Sequence, residues 1–239
     1  MLPLRDANPI RITPYVTISL IVACFVVFAV ELGIMASGGE TALNDFITRW
    51  GVVPADVTAA WKGGDYLSAE TATLVTSQFL HGGWFHLLGN MLYLWIFGNN
   101  VEERFGRVGF LVFYLFGGVL AGLSQVAVDP TSTVPTIGAS GAIAATLGAY
   151  FVLFPRARVT SLVFLGFFYQ LIDVPAIIVL GFWFVLQLIS GLASIGATES
   201  GGVAVFAHIG GFVVGAVITR LLMVVRPRMR GSASPSTVG

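Results

Sequence analysis

Apolar residues run in long stretches separated by short polar segments, and this pattern organises the whole chain. About 20 apolar residues, at 1.5 Å per helical residue, cross the roughly 30 Å hydrocarbon core of a bilayer. The pattern therefore predicts an all-α fold, a polytopic membrane helix bundle with six transmembrane helices. The six spans are predicted at about Tyr15–Met35, Trp84–Gly98, Val108–Val126, Ala139–Phe154, Val174–Ala193 and Val203–Val225.

The remaining segments form two terminal arms and several connections. Residues 1–14 are polar and are predicted to be an N-terminal arm, residues 15–225 the helical domain, and residues 226–239 a disordered tail. Residues 37–80 are predicted to form a long, partly amphipathic loop at the membrane interface. Glu31 lies near the outer end of the first span, where it is expected to reach water.

Two apolar stretches are too short to cross a bilayer in a regular way. The fourth predicted span is short, so the loop before it is expected to dip into the membrane, with its backbone covered by protein. The segment Val159–Gln170 is also apolar but short, and it is expected to lie in the interface.

The distribution of arginines predicts the orientation of the chain. The positive-inside rule assigns the arginine-rich side to the cytoplasm, and the two termini of a six-span protein share a side. Only Arg49 and Lys62 fall on the opposite side, so both termini are predicted to be cytoplasmic. The arginines on the terminal side are Arg5, Arg11, Arg104, Arg107, Arg156, Arg158, Arg226, Arg228 and Arg230.

Composition agrees with a membrane protein and excludes several function classes. The chain is 56% hydrophobic and only 10% charged, against about 25% charged in soluble domains, and its mean hydropathy is +0.89. The formal net charge of zero gives no case for nucleic-acid binding. A single cysteine, Cys24, provides neither a disulfide nor a cysteine-based metal site. Neither a cofactor nor a metal is expected.

Two polar residues lie where apolar helices are predicted. Ser140 begins the fourth span, and His208 lies inside the sixth. A hydroxyl and an imidazole in lipid are costly unless they bond each other or take part in chemistry. Ser140 lies about 24 Å from the cytoplasmic end of its helix and His208 about 27 Å from its own. Both are therefore predicted in the outer half of the membrane.

Small residues accompany both side chains at helical spacing. Such stripes let two membrane helices approach closely, so the serine oxygen and the imidazole are predicted to touch. Gly138 and Gly141 flank the serine. The stripes are Ser140, Ala144 and Gly148 in the fourth span, and His208, Gly211 and Gly215 in the sixth.

These residues have the chemistry of a serine hydrolase. A serine hydroxyl needs an adjacent base to act as a nucleophile, and His208 can supply one. The oxyanion of the tetrahedral intermediate needs donors. The candidates are the backbone N–H of Ser140, the side-chain amide of Asn90, and His86, four residues before Asn90 on the same helix face. No carboxylate lies in the middle of a span, so a dyad is predicted.

The chain resembles the rhomboid family of intramembrane serine proteases over about residues 10–225. The resemblance implies Ser140 as nucleophile, His208 as general base, and His86 with Asn90 as oxyanion donors. It implies cleavage of single-pass membrane proteins near the outer end of their transmembrane segment, and the short arms favour a prokaryotic plasma membrane. Four segments carry the resemblance: HGGWFHLLGN at 81–90, EERFG at 102–106, GASG at 138–141 and AHIGGFVVG at 207–215.

Two positions depart from the family pattern. Some members carry an aromatic residue one turn after the serine, packed on the catalytic imidazole, where this chain has Ala144. The orientation of His208 is therefore expected to depend on other groups. In the first loop, Arg49-Trp50 and Trp61-Lys62 match the Trp-Arg signature of the family only loosely.

Two other functions compete with a protease. A catalytically silent relative would bind membrane helices without cutting them, although silence normally follows loss of the serine or the histidine. A small transporter or channel would use His208 as a proton relay, but its polar groups would be expected at midplane rather than toward one face.

Overall fold

The computed structural model describes residues 2–165, 168–194 and 204–225, and most of these residues are helical. Apolar helices lie where the spans are predicted. A short 3-10 turn, Ser77–Phe79, precedes the helix at Trp84–Tyr93, and a π-helical turn, Leu94–Gly98, joins that helix to the next one at Asn99–Phe105. The helices are α1 Tyr15–Trp50, α2 Pro54–Lys62, α3 Ala69–Thr76, α4 Trp84–Tyr93, α5 Asn99–Phe105, α6 Arg107–Val128, α7 Ser140–Leu153, α8 Ala176–Ser194 and α9 Val205–Val225.

Within the described residues, three helices are long and apolar enough to cross a membrane: α1, α6 and α9. Helix α7 and the stretch Ala176–Ile189 of α8 are apolar but shorter. The predicted membrane helix bundle is confirmed, while the count of six spans and the orientation of the termini stay predictions. The predicted tail, residues 226–239, lies outside the described residues.

Helix α1 is longer than the predicted first span. It continues to Trp50 and contains one break, at Gly39, whose φ of 70° is readily adopted only by glycine. Helices α2 and α3 occupy the region predicted as a long loop. Hydropathy marks where a helix leaves lipid, but hydrogen bonding can continue the helix beyond that point.

The surroundings of Glu31 differ from the prediction. It was expected to reach water, but its side chain is 2% exposed and accepts a hydrogen bond from the backbone N–H of His81, at 3.1 Å. The segment entering α4 covers this face of α1 and satisfies the carboxylate locally. The depth of Glu31 along the predicted span could not reveal its contact with His81.

A three-stranded antiparallel sheet, unpredicted from the sequence, accompanies the helices. Strand β1 is Leu2–Asp6, β2 is Arg158–Leu165 and β3 is Phe168–Pro175, in the order β1-β2-β3. Within the segment Val159–Gln170, expected as an interfacial apolar stretch, residues 159–165 thus lie in β2 and residues 168–170 begin β3. A short apolar run rich in β-branched residues does not by periodicity distinguish helix from strand.

Polar side chains dock the N-terminal segment onto the helices. Oδ2 of Asp6 accepts hydrogen bonds from the Tyr150 hydroxyl and from Nδ2 of Asn100, both at 2.7 Å. Fully buried Glu102 accepts from the backbone N–H and the hydroxyl of Thr17, both at 2.8 Å. Glu102 therefore satisfies an N-terminal amide of α1, where negative charge is favoured.

Helix α7 is buried in the bundle and packs against both α6 and α9, which also contact each other. Its residues from Gly141 to Tyr150 are all buried. Its 14 residues span about 21 Å, whereas the 22 residues of α6 span about 33 Å. Ser140, at the start of α7, can therefore lie below the end of a longer neighbour.

The loop before α7 has its backbone paired with protein. Val52 and Thr136 exchange backbone hydrogen bonds of 3.0 and 2.7 Å, and the N–H of Gly138 donates to the carbonyl of Ser77 at 2.9 Å. A non-helical backbone at membrane depth requires such pairing.

Candidate active site

The centre of the site is a contact between the predicted serine and histidine. Oγ of Ser140 lies 2.7 Å from Nε2 of His208, within hydrogen-bond distance. Ser140 is the first residue of α7, and His208 lies in the first turn of α9. His208 is only 7% exposed. Two residues 68 positions apart in the chain are thus joined inside the bundle.

Glycines on α7 and α9 allow this contact, and we call their shared boundary the glycine seam. A Cβ added at Gly215 would strike the backbone carbonyl of Ala145, and one added at Gly148 would strike the carbonyl of Phe212. A Cβ at Gly211 would strike the carbonyl of Gly141. Because only glycine leaves this space, the two backbones approach at direct contact distance.

A cavity of about 210 Å³ opens beside the serine and the histidine. Both predicted oxyanion side chains, His86 and Asn90, line it together with Ser140 and His208. No carboxylate is among its lining residues in the described chain. The others are Phe85, Gly89, Tyr93, Ile143, Leu147, Trp183 and Gln187.

The two predicted oxyanion side chains have donors to offer. Nδ2 of Asn90 is buried and has no hydrogen-bond partner in the described structure. The backbone N–H of Gly82 donates to Nδ1 of His86, at 3.3 Å. Nδ1 is thereby an acceptor, so the proton of a neutral ring lies on Nε2 and can be donated. The amide of Ser140 belongs to the first turn of α7, where N–H groups lack intrahelical partners.

Gly138 lies against His86 rather than between two helices. Its φ is +120°, and an added Cβ would lie 2.7 Å from Cε1 and Nε2 of the His86 ring. Gly138, which was predicted to pack between helices, therefore packs against His86 from the loop before α7. Gly141 does pack between helices, since an added Cβ would lie 2.8 Å from Cβ of Ala121 on α6.

His81 supports His86 from the preceding loop. Nδ1 of His81 lies 3.2 Å from the carbonyl of Phe79, and the rings of His81 and His86 are 5.2 Å apart between centroids. Burial, together with repulsion from His86, lowers the pKa of His81 to about 4. His81 is therefore neutral over the ordinary pH range.

Two residues with no role predicted from the sequence reach His208 from α8. Oε1 of Gln187 lies 3.1 Å from Nδ1 of His208, and the Trp183 ring is 6.0 Å from the imidazole between centroids, tilted by 37°. An aromatic side chain from α8 thus lies near the imidazole, although position 144 carries only alanine. The sequence signal was slight: one amide in an apolar run, four residues after a tryptophan.

The arrangement has the parts of an acyl-transfer site. A hydroxyl contacts an imidazole, an unpartnered amide donor lies in the same cavity, and the cavity is open to a ligand. Among the residues that the structure describes, no three His, Cys, Asp or Glu side chains converge as metal ligands.

Comparison with known proteins connects this geometry to a family. Residues 68–225 match the Rhomboid domain. This range contains all four segments that carry the resemblance in the sequence, together with helices α4 to α9. It covers more than half of the chain.

Curated relatives come from bacteria and from organelles. Rhomboid protease GluP of Bacillus subtilis is 36% identical over 152 residues, which are 64% of this chain and 29% of that protein. Rhomboid-like protein 11, chloroplastic, of Arabidopsis thaliana is 34% identical over 156 residues, 62% of this chain and 51% of that protein. The mitochondrial Rhomboid protein 1 of Saccharomyces cerevisiae is 31% identical over 104 residues, 42% and 30% of the two chains.

The matched part spans about half or less of the length of these relatives. The domain match, the apolar helices and the bacterial protease relative agree with one another. The chain belongs to the rhomboid family of intramembrane proteases.

Proposed function

We propose that this protein is an intramembrane serine endopeptidase with a Ser140–His208 dyad. Its substrates are single-pass membrane proteins, cut in or near their transmembrane segments. The observation that carries the proposal is the 2.7 Å contact between Oγ of Ser140 and Nε2 of His208 beside an open cavity.

The first chemical step is attack of Oγ of Ser140 on a peptide carbonyl carbon. Nε2 of His208 takes the hydroxyl proton as the bond forms, because the alcohol alone is a weak nucleophile. The carbonyl oxygen becomes an oxyanion. The amide of Asn90, Nε2–H of His86 and the backbone N–H of Ser140 are the donors proposed to stabilise it.

The second step breaks the peptide bond. His208 gives its proton to the leaving amine, and an acyl-enzyme on Ser140 is formed. Water, activated by the same imidazole, then releases the acid and restores the serine. In this mechanism one histidine acts in turn as base and acid, and no carboxylate is needed within the cavity.

The membrane setting fits the substrate class. Ser140 begins a short helix inside an apolar bundle. A peptide bond that reaches Ser140 therefore belongs to a chain that already lies in the bilayer. We propose a prokaryotic plasma membrane as its location, and the distribution of its arginines supports cytoplasmic termini. The site then lies toward the outer face.

The decisive experiment uses the full chain purified in detergent, with a single-pass substrate and a fluorophosphonate probe. We expect the wild type to cut the substrate and to be labelled, and Ser140→Ala and His208→Ala to do neither. A chelator is expected to leave the wild-type rate unchanged.

Ser124 offers a matched control. Its hydroxyl also lies in an apolar helix, but it donates to the carbonyl of Leu120 within the same helix, at 2.8 Å. Ser124→Ala is expected to cut and to be labelled like the wild type. Undiminished cleavage by Ser140→Ala would exclude the dyad, and binding of substrate without labelling of the wild type would identify a silent relative.

A further inference from the structure

We propose that Gln187 is a positioning residue that fixes the reactive tautomer of His208. This inference rests on the proposed function. Its starting observation is the 3.1 Å distance between Oε1 of Gln187 and Nδ1 of His208, on the side of the ring opposite Ser140.

The chemistry of the amide decides which ring nitrogen carries the proton. The oxygen of Gln187 can only accept, so Nδ1 of His208 must donate and carry the hydrogen in the neutral ring. Nε2 is then left with a lone pair directed at the Ser140 hydroxyl. That is the tautomer a general base needs, because it can accept the proton of the nucleophile.

The position of Gln187 on α8 agrees with a specific role. Its neighbours Val185, Leu186 and Ile189 are 49%, 45% and 58% exposed, as expected of side chains directed outward. Gln187 lies with Trp183 on the face that lines the cavity. An amide in an apolar helix is costly without a partner, and His208 is the partner it has.

The same contact meets a need left open by the rest of the site. No carboxylate lines the described cavity, and Ala144 cannot hold the imidazole by stacking. In serine hydrolases with a triad, a carboxylate fixes the tautomer of the histidine and stabilises its cation. Gln187 performs the first task here through a neutral oxygen, which avoids burying a charge in lipid.

The first test separates turnover from binding. Gln187→Leu removes the acceptor at similar size, so both tautomers of His208 become populated and the ring loses the partner that fixes its orientation. We expect kcat to fall about 10- to 100-fold with KM nearly unchanged, less than the about 10⁴-fold loss caused by a locked wrong tautomer. Gln187→Glu restores an acceptor oxygen and is expected to exceed Gln187→Leu in kcat.

Leu186→Ala is the control on the same helix, because Leu186 is 45% exposed and is not among the residues lining the cavity. It is expected to keep the wild-type kcat. A higher KM at constant kcat in Gln187→Leu would make Gln187 a substrate-binding residue and overturn the proposal.

The second test reads the tautomer directly and needs no substrate. Nitrogen NMR of the ¹⁵N-histidine-labelled protein, assigned with His208→Ala, is expected to show the His208 proton on Nδ1. The same result is expected in Ser140→Ala, whose loss of cleavage tests the proposed function separately. In Gln187→Leu the proton is expected to shift partly to Nε2.

The wild-type spectrum tests the proposal even if Gln187→Leu fails to fold. A wild-type proton on Nε2 overturns the proposal, because Gln187 would then donate through its nitrogen. A folded Gln187→Leu with an unchanged tautomer overturns it as well, whatever its kcat.

Discussion

At the scale of single residues, the most informative group is the buried amide nitrogen of Asn90. It lines the cavity beside Ser140 and has no partner in the described structure. A buried donor left unpaired costs about 1–3 kcal/mol. Such a cost is explained if the donor is satisfied when an oxyanion forms beside it.

Asn90→Ala is therefore expected to lower kcat by on the order of 10²–10³ at most, since it would remove one of three proposed donors. The measurement is cleavage of the single-pass substrate at saturating concentration. Leu88→Ala, at a half-exposed position of the same helix, is the control and is expected to cut normally. A full rate in Asn90→Ala would remove Asn90 from the oxyanion site.

Some residues of the site could be predicted from the sequence and others could not, and the difference has a physical reason. Ser140 and His208 could be selected because polar groups are rare and costly in apolar segments, and Asn90 because it shares a helix face with His86. Gln187 could not, since its role depends on how α8 is rotated against α9. That rotation is decided by packing between helices, which hydropathy does not describe.

At the scale of elements, the glycine seam decides whether Ser140 can contact His208. Helices α7 and α9 touch through backbone atoms at Gly148, Gly211 and Gly215. Any atom added in the seam must push the axes apart.

Gly215→Ala is expected to destabilise the fold by about 1–3 kcal/mol, as for other overpacked cores. It should also lower cleavage by on the order of 10²-fold, because a shift of about 1 Å misplaces the reacting groups. Thermal unfolding in detergent and the cleavage rate test both effects.

Gly181→Ala on α8 is the matched control, since an added Cβ there meets no atom within 4 Å. It is expected to keep both the unfolding temperature and the rate. Equal behaviour of the two variants would show that the seam tolerates a methyl group.

The elements themselves could be predicted unevenly. Long apolar runs required helices, since a lipid-exposed backbone must satisfy its own hydrogen bonds. The π-helical turn at Leu94–Gly98 and the pairing of β1 with β2 had no such signal. Strand β1 pairs with residues more than 150 positions away, and such pairing depends on the finished bundle rather than on local pattern.

At the scale of the whole molecule, the N-terminal segment is tied to the helix that carries the serine. Asp6 accepts hydrogen bonds from Tyr150 of α7 and Asn100 of α5. Burial raises the pKa of Asp6 from 3.8 to about 6, although the bond from Tyr150 opposes the shift. The folded protein therefore holds this proton more tightly than the unfolded chain does.

The sign of the resulting pH dependence follows from this difference in binding. Between pH 3.8 and about 6 the unfolded state binds fewer protons at Asp6, so the contribution of Asp6 to stability falls as pH rises through this window. Asp6→Asn removes this dependence and keeps an acceptor oxygen. The unfolding temperature of Asp6→Asn minus that of the wild type is therefore expected to increase from pH 4 to pH 7.

Thermal unfolding at several pH values measures this difference, and Asp65→Asn, at an exposed position, controls for the loss of one charge. A difference that stays constant or decreases with pH would show that burial does not raise the pKa of Asp6.

The closeness of α7 and α9 also restricts the path by which a polypeptide could arrive. Neighbouring extended chains need about 5 Å between their backbones, and helices already in backbone contact leave no such gap. Residues of α4 and α8 line the other sides of the cavity, so in the proposed reaction a bound substrate would lie against these two helices. Because Gln187 of α8 also contacts His208, the helix that borders the bound chain is the helix that orients the imidazole in the proposed mechanism.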